Sequence, residues 1–315
     1  MNHALWATPF IFAAASAAAA AQDGLTPTDV LETGQLSVSA RLQFAKGQGD
    51  VSSQTATVDA DLTQFDATFQ GAVGLIMGLE VEVSIPYQFV GDTKLDGTNF
   101  SQEFEEVGFG DLTVSPIYRI LKDGADGPQL IIGAIFVAPT GKTEPAEPET
   151  QIGPLTVDGE KGGIGDAIWR YGAIAGISKR LTMVEPYLTV AWLSGGDAEV
   201  QSDSIEIERP DLWTVTLGAE FHVAPLIALD VRGSAQITGE EKTTDATGAE
   251  SKEEAHYTLS GQAQLYFTAG SGVTLIVGVG VALLEDHEID DTPPADLEDT
   301  FVWGAHIGIH INLGR

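Results

Sequence analysis

The residues in this sequence that could do chemistry are charged and polar side chains that alternate with apolar ones. Glu80 and Glu82 are two residues apart, as are Asp230 and Arg232, and both pairs lie in otherwise apolar segments. Successive side chains of a β-strand point to opposite faces, so residues two apart share a face. The spacing therefore predicts a polar face, on which we place Arg41, Glu80, Glu82, Arg119, Arg170, Glu220, His222, Asp230, Arg232, His306 and His310.

This polar face is expected to line the interior of a barrel, because a basic side chain facing the middle of a bilayer costs about 2–4 kcal/mol. Glu80 and Arg119 lie near neighbouring strand ends, where we expect them to pair. Across a later turn, Glu220 and Asp230 are expected to lie close together, with Arg232 able to bridge them. Two interpretations stay open: a charge ladder that stiffens the interior, or a lining that selects solutes.

Three patterns resemble catalytic or ligand-binding motifs but lack a required feature. Residues 139–143 (Pro-Thr-Gly-Lys-Thr) resemble the end of a phosphate-binding loop, whose first glycine would fall at Phe136. His306 and His310 would lie about 13 Å apart along one strand, too far to share a metal ion. For His222 and His256, the strand register does not identify the serine and the orienting group that a hydrolase needs within hydrogen-bond reach. The sequence therefore predicts no catalytic residue, no cofactor, no metal site and no enzyme.

The elements that would position these residues are strands with two unlike faces. In the last strand, Phe301 and Trp303 share an apolar face, while His306 and His310 share the other. Most segments reach the roughly nine to eleven residues that a tilted strand needs to cross a bilayer. We predict strands at 35–46, 56–75, 79–90, 110–121, 129–140, 167–178, 184–194, 211–223, 227–238, 256–268, 273–284 and 301–313. The apolar phase of the second changes near Thr63, which predicts a bulge there.

The links between these segments alternate in length. Short links separate some strands, whereas the others are joined by a modest loop at 47–55 and by long loops at 91–109, 141–166, 195–210, 239–255 and 285–300. Such alternation is typical of outer-membrane barrels, whose short turns lie in the periplasm and whose long loops lie outside. The predicted fold class is therefore all-β: a single transmembrane antiparallel β-barrel of about 12 strands over residues 35–315, with both termini periplasmic.

Charge divides along the same line. The chain has 15 basic and 46 acidic residues, for a net charge of -31. This excess excludes nucleic acid as a partner, since nucleic-acid binding needs a basic surface. The five long loops, with Asp166 and Asp211 beside them, hold 31 of the acids and only 6 bases. We expect these loops to face outward, where they could bind Ca²⁺ or Mg²⁺.

The N-terminal residues are typical of an export signal. Residues 5–21 are apolar and end in an alanine run before Gln22, which predicts a signal peptide over 1–21 that is cleaved after Ala21. Residues 22–34 would then form a periplasmic segment, for which a plug of the barrel is one role. Export of this kind places the protein in the bacterial outer membrane.

Several short motifs carry a family resemblance. They are Ile-Pro-Tyr at 85–87, Gly-Phe-Gly-Asp-Leu at 108–112, Ala-Pro-Thr-Gly at 138–141 and Glu-Pro-Tyr at 185–187. With the final strand, they resemble the outer-membrane transporter family associated with the meta pathway of phenol degradation. The resemblance implies an exported barrel that helps hydrophobic or aromatic compounds enter the cell, without catalytic residues.

The predicted function is an outer-membrane channel for uptake of small, hydrophobic or aromatic organic molecules. The alternative is a plugged structural or adhesive barrel whose acidic surface loops bind cations. Expected partners are outer-membrane lipid, lipopolysaccharide and small organic solutes. The sequence does not distinguish a monomer from an oligomer.

Overall fold

A computed structural model describes residues 28–53, 57–97, 100–124, 127–141, 149–152, 155–157, 161–165, 168–200, 205–244, 250–269, 272–290 and 295–313. The predicted signal peptide, residues 1–21, lies outside these ranges, as does the first part of the segment 22–34. None of the described residues belongs to a helix long and apolar enough to cross a membrane.

Twelve strands form the wall of a closed antiparallel barrel, which confirms the predicted fold class. They are Leu36–Ser53, Thr57–Gly74, Leu79–Asp96, Leu112–Leu121, Gln129–Ala138, Arg170–Ser178, Val184–Leu193, Leu212–Ala224, Ile227–Thr238, His256–Ala269, Val273–Leu284 and Ala295–Leu313. Each strand pairs with its neighbours in sequence. The first strand also pairs with the last, beginning with Leu36 opposite Leu313. Closure leaves no strand edge unpaired, which a lipid environment requires.

The two faces of the wall differ as the period of two predicts. In the last strand, Phe301, Trp303 and Ile307 are exposed on the outer face, whereas His306 and His310 are buried on the inner one. The other strands repeat this inversion, so large apolar side chains cover the outside and polar ones fill the inside. This distribution suits lipid around the barrel and polar contacts within it.

The two ends of the barrel are built differently. Short links, such as residues 75–78 and the Pro225–Leu226 turn, join the strands at one end of the barrel, which we call the short-turn end. We call the opposite end the long-loop end. At the long-loop end the wall continues into shorter strands: Phe100–Glu105, Gly108–Phe109, Glu149–Ile152, Leu155–Val157, Gly196–Val200, Ile205–Arg209, Glu241–Thr244, Glu250–Glu253 and His287–Asp290. The predicted long loops are therefore largely β-ribbons, because the backbone pairing of the wall simply extends into them.

The predicted bulge near Thr63 is wrong. The second strand keeps an unbroken register with the first, from Val73 to Thr57. The register shifts instead between the second and third strands, where Phe65 pairs with Val90 and Asp66 pairs with Gln88. The extra residue therefore lies in the third strand. The change of apolar phase has another cause: near the long-loop end the inner face is itself apolar, and Ala60 packs there with Leu95 and Phe104.

Candidate functional site

The structure places all of the predicted lining residues on the inner face of the wall. Most of them are buried, while Glu82, Arg119 and His222 are partly exposed near the short-turn end. Arg170 lies toward the long-loop end and donates from Nε to the Ser194 carbonyl at 2.7 Å and from Nη2 to the Pro210 carbonyl at 2.6 Å. The charges therefore form layers at different heights in the lumen.

The N-terminal segment, residues 22–34, occupies the lowest of these layers with its described residues. The backbone N–H of Leu31 donates to Glu80 Oε2 at 2.6 Å, and Arg119 Nη1 donates to the Val30 carbonyl at 3.1 Å. Glu80 and Arg119 were expected to pair with each other, but their hydrogen bonds go to this segment instead. The N-terminal segment offers a backbone N–H to Glu80 and a backbone carbonyl to Arg119, so both charged side chains are hydrogen-bonded and the backbone groups of the segment are paired as well.

Apolar packing holds the same segment in place. Val30 is buried against Ile117 and Ile131, and Thr28 is fully buried with its carbonyl accepting from Gln129 Nε2. At the rim, Glu32 Oε1 contacts Arg119 Nη2 at 3.0 Å and Lys122 Nζ at 2.7 Å. The hydrogen bond from Lys122 is the main reason that the pKa of Glu32 lies below its usual range.

A second layer of polar side chains crosses the middle of the lumen. We name it the polar belt, and its members are Arg41, Tyr187, Asp230, Arg232, Gln262, Gln264, Tyr266 and His306. Asp230 is the acidic member of the polar belt. Its Oδ1 accepts from the Tyr187 hydroxyl at 2.8 Å, and its Oδ2 accepts from Gln264 Nε2 at 3.0 Å. Because Asp230 is only 1% exposed, these hydrogen bonds offset the cost of removing it from water.

The basic side of the polar belt is held through amides. Arg41 Nη2 donates to Gln264 Oε1 at 3.4 Å, and Arg232 Nε donates to Gln262 Oε1 at 2.7 Å. His306 lies between these amides, with Nε2 3.2 Å from Gln264 Oε1 and Nδ1 3.2 Å from Gln262 Nε2. The polar belt is thus one connected network that ties strands from both sides of the chain closure.

The expected group of Glu220, Asp230 and Arg232 is only partly present as predicted. Glu220 and Asp230 face each other directly across their strands. Arg232 Nε lies 3.8 Å from Asp230 Oδ2, while Glu220 Oε1 lies 3.3 Å from His222 Nδ1. Asp230 belongs to the polar belt, and Glu220 belongs to the layer below it.

A cavity of about 140 Å³ lies above the polar belt, toward the long-loop end. Its polar lining includes Gln43, Gln64, Thr189, Thr214, Thr216, Ser234 and Ser260, and its apolar lining includes Ala45, Leu62, Ile135, Ile174, Ala191 and Ala282. Arg232, Gln262 and His306 of the polar belt form its lower wall. The cavity therefore offers apolar surface together with hydroxyl and amide groups.

Glycines on the last two strands create part of this space. Gly280 and Gly304 face each other on the inner face and both line the cavity. Gly278, two residues lower, has no such room, since a Cβ there would overlap the His306 ring. Small residues thus separate an open stretch of the lumen from the packed stretch below it.

Sequence reasoning missed the uncharged members of the polar belt: Tyr187, Gln262, Gln264 and Tyr266. The last three are spaced two apart on one strand and alternate with Ala263 and Leu265, so the same period that selected the charged residues could have found them. Glutamine and tyrosine carry no charge at neutral pH, so their direction in a strand is less constrained than that of a charged side chain.

The closed barrel defines the class of the protein: its fold is that of bacterial outer-membrane β-barrels. Three solved structures show this likeness. They are an outer membrane channel from Pseudomonas putida F1 (14% identity, TM-score 0.60, covering 92% of this chain and 100% of that one), the translocator domain of the autotransporter NalP from Neisseria meningitidis (10%, 0.50, 96% and 96%), and the transport unit of the autotransporter AIDA-I from Escherichia coli (10%, 0.51, 95% and 96%).

A family model gives a narrower likeness, over part of the chain. Residues 39–154 match the family described as MetA-pathway of phenol degradation. The match includes three of the motifs on which the predicted resemblance depends, at 85–87, 108–112 and 138–141, so the resemblance is confirmed. A comparison with curated protein sequences found no significant match.

Proposed function

We propose that this protein is an outer-membrane channel through which small hydrophobic or aromatic molecules enter the cell. The observation that carries the proposal is the cavity above the polar belt, which combines apolar walls with hydroxyl and amide groups. The family match to phenol degradation and the fold shared with an outer membrane channel support it. The short-turn end would face the periplasm and the acidic long-loop end the exterior.

The size of the cavity favours a single aromatic ring. A cavity of about 150 Å³ lined by apolar side chains is large enough to bind benzene. The present cavity, at about 140 Å³, is similar in volume but carries threonine, serine and glutamine side chains on one part of its wall. A ring bearing one hydroxyl group could therefore place its apolar face on Ile135 or Ile174 and its hydroxyl on a polar neighbour.

A pair of glycine substitutions tests this proposal. Gly280→Ile would place a side chain in the cavity, where a Cβ at this position first meets the Gly261 carbonyl oxygen at 3.3 Å. Gly233→Ile is the matched control, because Gly233 lies on the outer face, does not line the cavity, and has its nearest contact at 3.7 Å. Phenol uptake into proteoliposomes should fall several-fold in Gly280→Ile and stay unchanged in Gly233→Ile. Equal uptake by both variants would exclude the cavity from the solute path.

The second candidate function is a closed barrel with a structural or adhesive role. It is favoured by the N-terminal segment, whose described residues fill the short-turn end through buried contacts. In this case the wild-type protein would conduct neither ions nor neutral solutes, and its acidic loops would serve to bind Ca²⁺, Mg²⁺ or neighbouring lipopolysaccharide. Single-channel recording in planar bilayers separates the two functions, since a channel must show resolvable openings.

A further inference from the structure

Glu253, His256 and His287 form a buried cluster at the long-loop end that neither the fold nor the proposed function requires. All three are less than 10% exposed. They come from two different hairpins: Glu253 and His256 flank the start of one strand of the wall, and His287 follows the next strand. Sequence reasoning predicted no metal site, because these residues are far apart in the sequence and only the ribbons above the wall bring them together.

The hydrogen bonds of His287 determine which of its ring nitrogens carries a hydrogen and which one faces Glu253. Nδ1 lies 2.9 Å from the Glu285 carbonyl oxygen, an acceptor, so Nδ1 carries a hydrogen and donates it. Nε2 of the neutral ring then presents a lone pair, and it lies 3.1 Å from Glu253 Oε1. A lone pair and a carboxylate oxygen repel at this distance unless a positive ion or a proton lies between them. A histidine ligand whose other nitrogen donates to a backbone carbonyl is the usual arrangement at protein metal sites.

His256 brings a second ring to the same place. Its Nδ1 donates to the Glu254 carbonyl oxygen at 3.2 Å and lies 3.4 Å from Glu253 Oε1, whereas its buried Nε2 makes no hydrogen bond and keeps a lone pair. The two imidazole rings are stacked with their centres 4.3 Å apart, so positive charge on both rings would be repulsive. One shared cation satisfies both rings and the carboxylate without placing a charge on either ring.

The distances suit a tetrahedral ion. Two ligand atoms that each lie about 2.0–2.1 Å from a tetrahedral Zn²⁺ are separated by about 3.3 Å. The distance from His287 Nε2 to Glu253 Oε1 is 3.1 Å, and Glu253, His256 and His287 each offer one ligand atom within 4.8 Å of the others. We propose that Glu253, His256 and His287 bind a transition-metal ion such as Zn²⁺, with solvent as the fourth ligand.

This donor set also predicts which cations are rejected. Imidazole nitrogen suits Zn²⁺, Cu²⁺ and Ni²⁺, whereas Ca²⁺ and Mg²⁺ prefer oxygen ligands. A bound ion would link the ribbon that ends at Glu253 to the ribbon that begins at His287, above the cavity. The site is thus distinct in chemistry from the carboxylates that cover the rest of this end.

The test uses the full chain, refolded in detergent and stripped of metal with EDTA. Co²⁺ is added at neutral pH while its visible absorption is recorded, and Zn²⁺ binding is measured by equilibrium dialysis. We expect one tightly bound equivalent and the absorption of four-coordinate Co²⁺, which an equal concentration of Ca²⁺ does not displace. His287→Asn and Glu253→Gln should each weaken Zn²⁺ binding at least tenfold.

Glu105→Gln is the matched control, because Glu105 belongs to a partly exposed cluster with Asp92 and Glu103 at the same end. It should leave Zn²⁺ affinity unchanged. Heat-dependent mobility in detergent gels shows that each variant is folded, and His256→Asn provides an independent variant if one of the others is not. Zn²⁺ affinity that is the same in wild type, His287→Asn and Glu253→Gln would overturn the proposal. A proton shared between His287 and Glu253 would then explain their short contact. The experiment measures no transport, so its outcome does not depend on the proposed channel function.

Discussion

The two halves of the lumen contrast in how their inner faces are filled. In the short-turn half, long polar side chains and the N-terminal segment meet across the lumen, as in the contact of Leu31 with Glu80 and of Tyr187 with Asp230. In the long-loop half, several inward positions carry small side chains, among them Ala45, Gly280 and Gly304. The same wall therefore supports a packed half and a half with a cavity.

The contrast shows that in a narrow barrel the size of inward side chains, rather than the strand number, decides where space exists. A twelve-stranded wall leaves little room beyond what its own side chains fill. Residues that reach the centre convert the lumen into a barrier, and a run of glycine, alanine and serine at the same radius leaves room for a solute.

Deletion of residues 22–34 should have the largest effect, because it removes the described backbone that binds Glu80 and Arg119. Single-channel conductance should rise severalfold, and uptake of neutral solutes should rise with it. A variant in which residues 28–34 are replaced by a glycine–serine segment of equal length is the control, and it should behave like the deletion if contacts rather than chain length close the lumen. Wild-type conductance in both variants would place the barrier in the polar belt alone.

Neutralising the acids of the 285–300 loop should have an intermediate effect on ion selectivity. The five long loops, with Asp166 and Asp211, carry a net 25 negative charges, of which this loop provides 8. Their field extends about 8 Å at physiological salt, so an open channel should prefer K⁺ to Cl⁻, most strongly at low salt. Replacing the eight acids by Asn or Gln should reduce that preference by roughly a third.

Reversal potentials under a salt gradient measure this preference, and millimolar Ca²⁺ should weaken it in the wild type. Equal permeability to both ions, unchanged by the replacement, would mean that the acids only keep this end solvated. Neutral aromatic solutes should respond to neither Ca²⁺ nor the replacement, because they carry no net charge.

Glu32→Gln should have the smallest effect on closure at neutral pH. Glu32 is about half exposed, and exposed ion pairs such as those with Arg119 and Lys122 contribute little to stability. Because its pKa is lowered in the folded state, the ionised carboxylate stabilises the docked segment above about pH 4.5, and this contribution is lost as the pH falls through the folded pKa. The open fraction of the variant at pH 7 should therefore exceed that of wild type by a few-fold at most.

Acidification of the wild type should raise its open fraction to that of Glu32→Gln, while the variant itself should not respond in the same range. Recordings at pH 7 and below pH 4.5 make this comparison. An identical pH response in both proteins would assign the titration to another group.

The pattern of the sequence was enough to predict the strands, their two faces and the inward side of the charged residues. These features follow from the period of two within each strand and from the alternation of short and long links, which are local properties of the chain. The inward assignment of Asp230 and His306 needed nothing more than the apolar residues beside them. The extent of the ribbons beyond the wall was not visible, because polar residues with period two resemble loop sequence.

Which inward residues meet depends on the closed barrel and could not be predicted from the pattern. Closure of the barrel brings Gln264 to Asp230 and His306, brings the N-terminal segment between Glu80 and Arg119, and gathers Glu253, His256 and His287 from two hairpins. A face assignment fixes the direction of a side chain but not its height relative to residues across the lumen. That height depends on the register of every strand pair in the closed wall, and no single segment of the sequence specifies it.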